Sequence, residues 1–155
     1  MRHPARLLAV VLIAASGVAS AAARLPAAAP RVIEIKTGDN MKFDPAAITA
    51  APGESVTVVI RHVGQMPKAA MGHNFVLIQK ASEAKAIADT CASARDTEFI
   101  APAVKGQLLA FTRLVGPGET AEITFKAPAR RGDYLFICTF PGHFAMGMKG
   151  TLTVK

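Results

Sequence analysis

The sequence predicts an all-β fold, a Greek-key β-sandwich of about eight strands with one inserted helix. The first observation behind this prediction is that apolar and polar residues alternate over short segments, most clearly in residues 32–36 and 55–60. Such alternation is typical of strands with one buried face. The second observation is that Gly and Pro turn signals, such as Pro52-Gly53, separate these segments at the intervals expected of a sandwich.

The same alternation places the remaining elements along the chain. We predict strands at residues 32–36, 47–50, 55–60, 74–79, 107–112, 121–126, 133–138 and 149–155. Residues 81–94 break the pattern, because they are rich in Ala, include Glu, Lys and Ile, and contain no Gly or Pro. That composition favours a helix inserted between two strands.

The N-terminal residues predict an exported protein. Arg2 and Arg6 precede an apolar run over residues 7–18, which is followed by small residues. This is the pattern of a secretory signal peptide, here residues 1–23. The apolar run is shorter than the roughly 20 residues that a membrane-spanning helix needs, so we expect no membrane span.

The rest of the chain fits a short leader and one domain. Residues 24–30 are rich in Ala and Pro and predict a flexible leader, and residues 31–155 are enough for a single core. The full chain carries 18 Lys and Arg against 11 Asp and Glu, a formal charge of +7. The basic residues are scattered and aromatic residues are few, so nucleic acid is a poor partner and a mildly acidic protein a better one.

One loop near the C-terminus brings three kinds of metal ligand together. Cys138, His143 and Met148 supply a thiol, an imidazole and a thioether within eleven residues of sequence. These are the ligand types of a blue copper centre, which adds a second imidazole and holds its Met weakly. Two cysteines in an exported chain would ordinarily suggest a disulfide, but Cys91 lies in the predicted helix, and we expect both thiols to be unpaired. An intermolecular disulfide through Cys91 is the alternative.

The second imidazole must come from outside this loop. The chain has four His, and His3 leaves with the signal peptide, so the choice lies between His62 and His73. His73 stands at the start of a predicted strand, in Met71-Gly72-His73-Asn74, where a rigid sheet would fix its position. His62 lies at the end of an earlier strand and is interpreted as a packing residue beneath the site.

These segments resemble the azurins, which are copper proteins with the cupredoxin fold. The resemblance covers nearly all of the chain after the signal peptide. It rests on Met71-Gly72-His73-Asn74, on Cys138-Thr139-Phe140-Pro141-Gly142-His143 and on the ending Met148-Lys149-Gly150-Thr151. It implies one type 1 copper ion. The implied ligands are His73, Cys138, His143, the axial Met148 and, as a weak ligand, the backbone carbonyl of Gly72.

The chain departs from the azurin pattern in its last loop. Azurins have a four-residue step from the loop His to the Met, whereas His143 to Met148 is a five-residue step, as in pseudoazurin and plastocyanin. The axial assignment stays with Met148, and Met146 is the alternative. Phe75 replaces the usual Trp, and no Cys precedes residue 91, so the N-terminal disulfide typical of azurins is absent.

The resemblance also implies roles for residues around the ligands. The backbone N–H groups of Asn74 and Phe140 should point at the sulfur of Cys138, and the Asn74 side chain should tie the two ligand-bearing loops together. His143 follows a turn and is expected to show an edge to solvent within an apolar patch, which suits brief docking of a redox partner. The residues expected in this docking patch are Met71, Pro141, Phe144, Ala145 and Met146.

These features predict a periplasmic carrier of single electrons, cycling between Cu(I) and Cu(II), and not an enzyme. A copper-storage protein would favour Met-rich or His-rich clusters without a rigid thiolate. A copper enzyme would need further His ligands for a second copper, which the three remaining His cannot supply. The azurin resemblance implies c-type cytochromes or copper nitrite reductase as partners, and we expect a monomer.

Overall fold

The computed structural model describes residues 29–155. The predicted signal peptide and most of the predicted leader lie outside the described residues. Within residues 29–155, no helix is long and apolar enough to cross a membrane.

Eight strands form the body of the domain, and the all-β prediction is confirmed. Their bounds are β1 Arg31–Thr37, β2 Ala47–Ala50, β3 Ser55–His62, β4 Val76–Ile78, β5 Leu108–Phe111, β6 Thr120–Lys126, β7 Gly132–Ile137 and β8 Lys149–Val154. The strands build a three-stranded sheet in the order β1-β3-β6 and a five-stranded sheet in the order β2-β8-β7-β4-β5. The β1–β3 and β2–β8 pairs are parallel, and the other pairs are antiparallel.

The core lies between the two sheets, and strand alternation fills it. Val56, Val58 and Ile60 of β3 are fully buried, and they share one cluster with Phe136 of β7 and Leu152 of β8. Burying a side chain of this size stabilises the fold by roughly 1.5–3 kcal/mol. The rigid sandwich therefore sets the positions of the loops at its ends.

A helix covers the outer face of the five-stranded sheet, as the sequence predicts, but it is shorter than expected. Helix α2 spans Ala84–Ala92, and residues 81–83 before it form a single turn of 3-10 helix. Its buried residues recur at helical spacing and pack against Val76 and Ile137. They are Ala84, Ile87, Ala88 and Cys91. Cys91 is a free, buried thiol, as is Cys138.

The predicted start of the fourth strand is wrong by two residues. Strand β4 begins at Val76 because the backbone N–H of Phe75 donates to the Thr112 hydroxyl and not to a backbone carbonyl, while His73 forms only an isolated bridge with Val115. A short helix α1, Lys68–Met71, precedes these residues and has no counterpart in the predicted elements. Four residues are too few to show helical periodicity in a sequence.

Candidate metal centre

The predicted ligands converge at one end of the sandwich. Strands β4 and β7 are antiparallel neighbours, with Val76 opposite Ile137, so the start of β4 lies beside the end of β7. His73 comes just before β4 and Cys138 just after β7. Strand topology therefore brings together two residues that are 65 positions apart in the chain.

Three donor atoms form a buried cluster. One ring nitrogen of His73, one of His143 and the sulfur of Cys138 all lie within 4.8 Å of one another. The Cys138 sulfur is 3.5 Å from Nδ1 of His143 and 3.9 Å from Nδ1 of His73. All three side chains are at most 4% exposed. Residues 29–155 contain no other group of three or more His, Cys, Asp or Glu close enough to hold a metal.

The two imidazoles of this cluster are neutral and each has a ring nitrogen with a free lone pair. Nε2 of His73 donates a hydrogen bond to the carbonyl oxygen of Gly38 at 3.0 Å, which leaves Nδ1 without a proton. Burial lowers the pKa of His73 to about 3, helped by the neighbouring rings of His143 and His62, although the Gly38 bond opposes the shift. Burial also lowers the pKa of His143 to about 4. Both rings are therefore neutral near neutral pH and able to bind a metal ion.

Cys138 is buried against the sandwich. Burial raises the pKa of its thiol to about 12, and hydrogen bonds from the backbone N–H groups of Asn74 and Phe140 act in the opposite direction. Without a counter-charge the thiol keeps its proton. A metal cation at this position would supply the counter-charge, because thiolate is the form that binds metals.

Two glycines shape the loop between Cys138 and Met148. Gly142 and Gly147 have φ values of +83° and +88°, which other residues rarely adopt. The loop closes through a hydrogen bond from the backbone N–H of Met148 to the carbonyl oxygen of His143 at 2.9 Å. The five-residue step from His143 to Met148 is thus taken up by a turn with Gly147 just before the Met.

The two candidate axial residues have opposite environments. Met148 is fully buried in the core cluster that contains Cys138, whereas Met146 is 69% exposed. Gly72 is buried as well, and a Cβ atom there would lie only 2.7 Å from the Leu114 side chain. Glycine at this position lets the Leu114 side chain and the carbonyl oxygen of Lys68 lie close to the backbone just before His73.

Asn74 connects the two ligand-bearing segments. Its side-chain oxygen accepts a hydrogen bond from the backbone N–H of Thr139 at 2.9 Å, and its Nδ2 donates to the Thr139 hydroxyl oxygen at 2.8 Å. That hydroxyl in turn donates to the carbonyl oxygen of Phe99 at 2.7 Å. Sequence reasoning identified Asn74 but missed Thr139 and Phe99. The only available signal for Thr139 was its place next to Cys138.

His62 lies behind the site and not in it. Its Nδ1 accepts a hydrogen bond from the backbone N–H of Gly64, so Nε2 carries the hydrogen and donates to the carbonyl oxygen of Met71. Its ring stacks on His73 with centroids 4.9 Å apart. Both nitrogens are occupied, which agrees with the interpretation of His62 as a packing residue.

The residues of the predicted docking patch are all at least partly exposed. Pro141, Ala145 and Met146 are exposed, and Met71 and Phe144 are partly exposed. The expected exposed edge of His143 is wrong, because the ring is only 4% exposed and packs against Phe140 with centroids 4.6 Å apart. The predicted ligand His143 is thus buried beside exposed residues of its own loop.

An ion-pair network that sequence analysis did not predict holds helix α1 in place. The carboxylate of Glu119 accepts hydrogen bonds from Lys68 at 3.1 Å, from Arg113 at 2.9 Å and from the backbone N–H of Gly116 at 3.2 Å. These contacts lower the pKa of Glu119 to about 2, Lys68 having the largest effect. Lys68 opens the helix that leads to Gly72 and His73.

We expect Glu119→Gln to weaken the protein by about 1 kcal/mol or less at neutral pH, since the carboxylate is partly exposed and screened by solvent. The native pKa is lowered, so the stabilisation is fully present above the unfolded pKa of about 4.5 and is lost as pH falls towards 2. Urea unfolding of the metal-free proteins measures the difference in free energy of unfolding between wild type and variant. This gap should be constant from pH 7 to 5 and should narrow by pH 3. A gap of unchanged size at pH 3 would count against this network.

Comparison with known proteins shows which family has this cluster of donor atoms. Residues 30–155 match the family described as copper binding proteins, plastocyanin/azurin family. The chain belongs to the plastocyanin/azurin family. Members of this family are electron carriers and not enzymes, and the chain is accordingly a blue copper electron-transfer protein.

Relatives and solved structures agree on the family. The chain is 40% identical over 126 residues to azurin of Pseudomonas aeruginosa, covering 79% of this chain and 84% of that protein. It is 36% identical to azurin iso-2 of Methylomonas sp. strain J over 124 residues, covering 78% of this chain and 95% of that protein. Dithionite-reduced auracyanin of Roseiflexus castenholzii has a TM-score of 0.72 at 34% identity, covering 83% of this chain and 99% of that chain. The fold predicted from the azurin resemblance is therefore correct.

The donor set suits the copper ion of this family. A thiol and two imidazoles face one another in a buried cluster, with a buried thioether in the adjoining core. Soft sulfur ligands select Cu(I), and imidazole nitrogens bind copper in both of its oxidation states.

Proposed function

We propose that His73, Cys138 and His143 are the strong ligands of the copper ion, with Met148 as axial ligand and the Gly72 carbonyl as a weak one. The observation that carries this proposal is the buried cluster of three donor atoms within 4.8 Å. The bound copper supplies a one-electron couple between Cu(I) and Cu(II).

The protein's contribution is to keep these side chains still. The Gly38 carbonyl fixes the His73 ring, and the closed loop fixes His143 relative to Met148. Backbone N–H groups of Asn74 and Phe140 stabilise negative charge on the Cys138 sulfur. A site held in one geometry needs little rearrangement when its charge changes, which favours fast electron transfer.

Burial supports Met148 over Met146 as the axial ligand, and a pair of variants tests the choice. We expect Met148→Leu to change the reduction potential and the visible spectrum, because the axial ligand tunes both. Met146→Leu is the matched control and should leave both unchanged, since its side chain is 69% exposed. Cyclic voltammetry and absorption spectra measure the outcome. A shift with Met146→Leu and none with Met148→Leu would reverse the assignment.

We propose the apolar patch of Met71, Pro141, Phe144, Ala145 and Met146 as the surface where redox partners dock. Residues 139–148 contain no charged side chain, and four of the five patch residues lie within three positions of His143 in the chain. Redox encounters bury little surface and must dissociate quickly, which a small uncharged patch allows.

A charged residue introduced into the patch should slow electron transfer and leave the copper site unchanged. We expect Met146→Glu to lower the rate of transfer to a c-type cytochrome about ten-fold, because a carboxylate would have to be desolvated on docking. The visible spectrum should not change. Stopped-flow kinetics give the rate, with Val32→Glu as control because Val32 is 65% exposed and lies on β1. Equal slowing by both variants would exclude this patch as the docking surface.

We propose that the carrier is a periplasmic monomer that serves c-type cytochromes or copper nitrite reductase. The signal-peptide pattern of residues 1–23 supports export. The resemblance to azurins implies partners of this kind. Size-exclusion chromatography and fractionation of expressing cells test the two halves of this proposal.

A further inference from the structure

Two grooves flank the proposed docking patch, one on either side of Phe140. The first, of about 430 Å³, lies between helix α2 and the His143 loop. Its apolar lining includes Ala88, Ala92, Phe140 and Phe144. The second, of about 380 Å³, is lined on its apolar side by Ala69, Phe99, Leu114 and Phe140. The ring of Phe140 therefore borders both grooves and also packs against His143.

At the rims of the two grooves, basic residues outnumber acidic residues. At the first groove Nζ of Lys85 lies 2.6 Å from a carboxylate oxygen of Asp89, and Lys149 is left as a cation without a partner in the lining. At the second groove Lys68 lies 3.6 Å from Glu98, and Arg95 remains. Among the residues that the structure describes, Lys149 and Arg95 form no ion pair, and both are exposed.

The unpaired charges at the two rims are therefore positive. The carboxylates of Asp89 and Glu98 are already engaged by lysines, so the charges that remain to meet a partner are two cations. These cations stand on opposite sides of an uncharged centre. A second copy of this chain would bring the same cations face to face, and like charges across an interface cost several kcal/mol.

From this arrangement we infer that the face docks an acidic redox protein, with carboxylates of the partner against Lys149 and Arg95 and apolar residues against Phe140 and Phe144. The inference rests on the proposed function, because it names the class of partner for the same surface. Cations around an apolar centre steer an oppositely charged partner into one orientation and raise the rate of association. The weak apolar contact at the centre still lets the complex dissociate.

The test compares two double charge reversals in the copper-loaded protein. Arg95→Glu/Lys149→Glu reverses the rim. Arg130→Glu/Arg131→Glu makes the same change in net charge at the turn before β7, at the opposite end of that strand from Cys138. The probe is a reduced c-type cytochrome of negative net charge, mixed in a stopped-flow instrument at about 10 mM and about 500 mM ionic strength. The reduction potential of every variant is measured, so that rates are compared at equal driving force.

The rim variant should react about ten-fold more slowly than wild type at low ionic strength, and the difference should nearly vanish at high ionic strength. The control variant should be slowed less than the rim variant, because its charges lie at the other end of the six-residue strand β7, roughly 20 Å farther from a docked partner. Equal slowing by both variants, or no slowing by the rim variant, would overturn the inference. So would a wild-type protein that forms a dimer through this face.

Failure of the proposed function has a different signature. Reduction of the copper-loaded wild type by ascorbate is recorded first. A protein that is colourless or is not reduced would contradict the carrier function itself. A blue, reducible protein whose electron-transfer rate does not change when the rim charges are reversed would overturn only the class of partner.

Discussion

Cys138→Ser should abolish the intense visible band of the copper-loaded protein. The band arises from charge transfer between a thiolate sulfur and copper, and a serine hydroxyl cannot replace that donor. Cys138 is the only sulfur in the cluster of three donor atoms, and its side chain is fully buried. We expect the variant to bind copper more weakly and to give a pale or colourless product.

The chain offers a matched control for this substitution. Cys91 is also a free and fully buried cysteine, but it lies in helix α2, where its sulfur accepts a hydrogen bond from the backbone N–H of Ala101. Cys91→Ser should therefore keep the blue band. Circular dichroism establishes that both variants are folded. A blue Cys138→Ser protein would exclude Cys138 as the thiolate ligand, and equal loss of colour in both variants would show that the loss is not specific to Cys138.

Gly150→Ala should destabilise the protein by about 3 kcal/mol, the largest loss of stability that we expect from a single added methyl group. Gly150 of β8 lies opposite Phe136 of β7, whose ring is fully buried between Phe43 and Phe75. A Cβ atom at Gly150 would overlap the Phe136 ring and the carbonyl oxygen of Ala46. Ring and backbone are both held by the core, so neither can move aside cheaply.

Gly106→Ala is the control for the added methyl group. No atom lies within 4 Å of the Cβ position there, and the residue does not require a positive φ. We expect a change of less than about 0.5 kcal/mol in its free energy of unfolding. Urea unfolding of the metal-free proteins measures both values. A Gly150→Ala protein as stable as Gly106→Ala would show that the sheet yields more easily at this point than its packing implies.

Most of the strands could be predicted because each has one buried face. Val56, Val58 and Ile60 occupy every second position of β3 and are all buried in the core. Local patterns of this kind say nothing about which strands are neighbours. The parallel pairing of β1 with β3 and of β2 with β8 depends on the whole chain and was not predicted.

The donor cluster could be predicted because metal ligands are rare residue types. Only His62 and His73 competed for one position, and a strand start was the better place for a rigid ligand. The groups that hold the ligands could not be predicted, because common residues form them through distant contacts. Thr139 meets Phe99 across 40 residues, and Glu119 meets Lys68 across 51. Such contacts leave no periodic or compositional mark in the sequence.

The most direct test of the account is a copper titration of the purified protein followed by visible spectroscopy through one redox cycle. The account predicts that an intense blue band grows to saturation at one equivalent of Cu(II), bleaches when ascorbate reduces the copper and returns when ferricyanide oxidises it. Uptake of copper without a blue band, or a band that does not return after reduction, would contradict an electron carrier built on His73, Cys138 and His143.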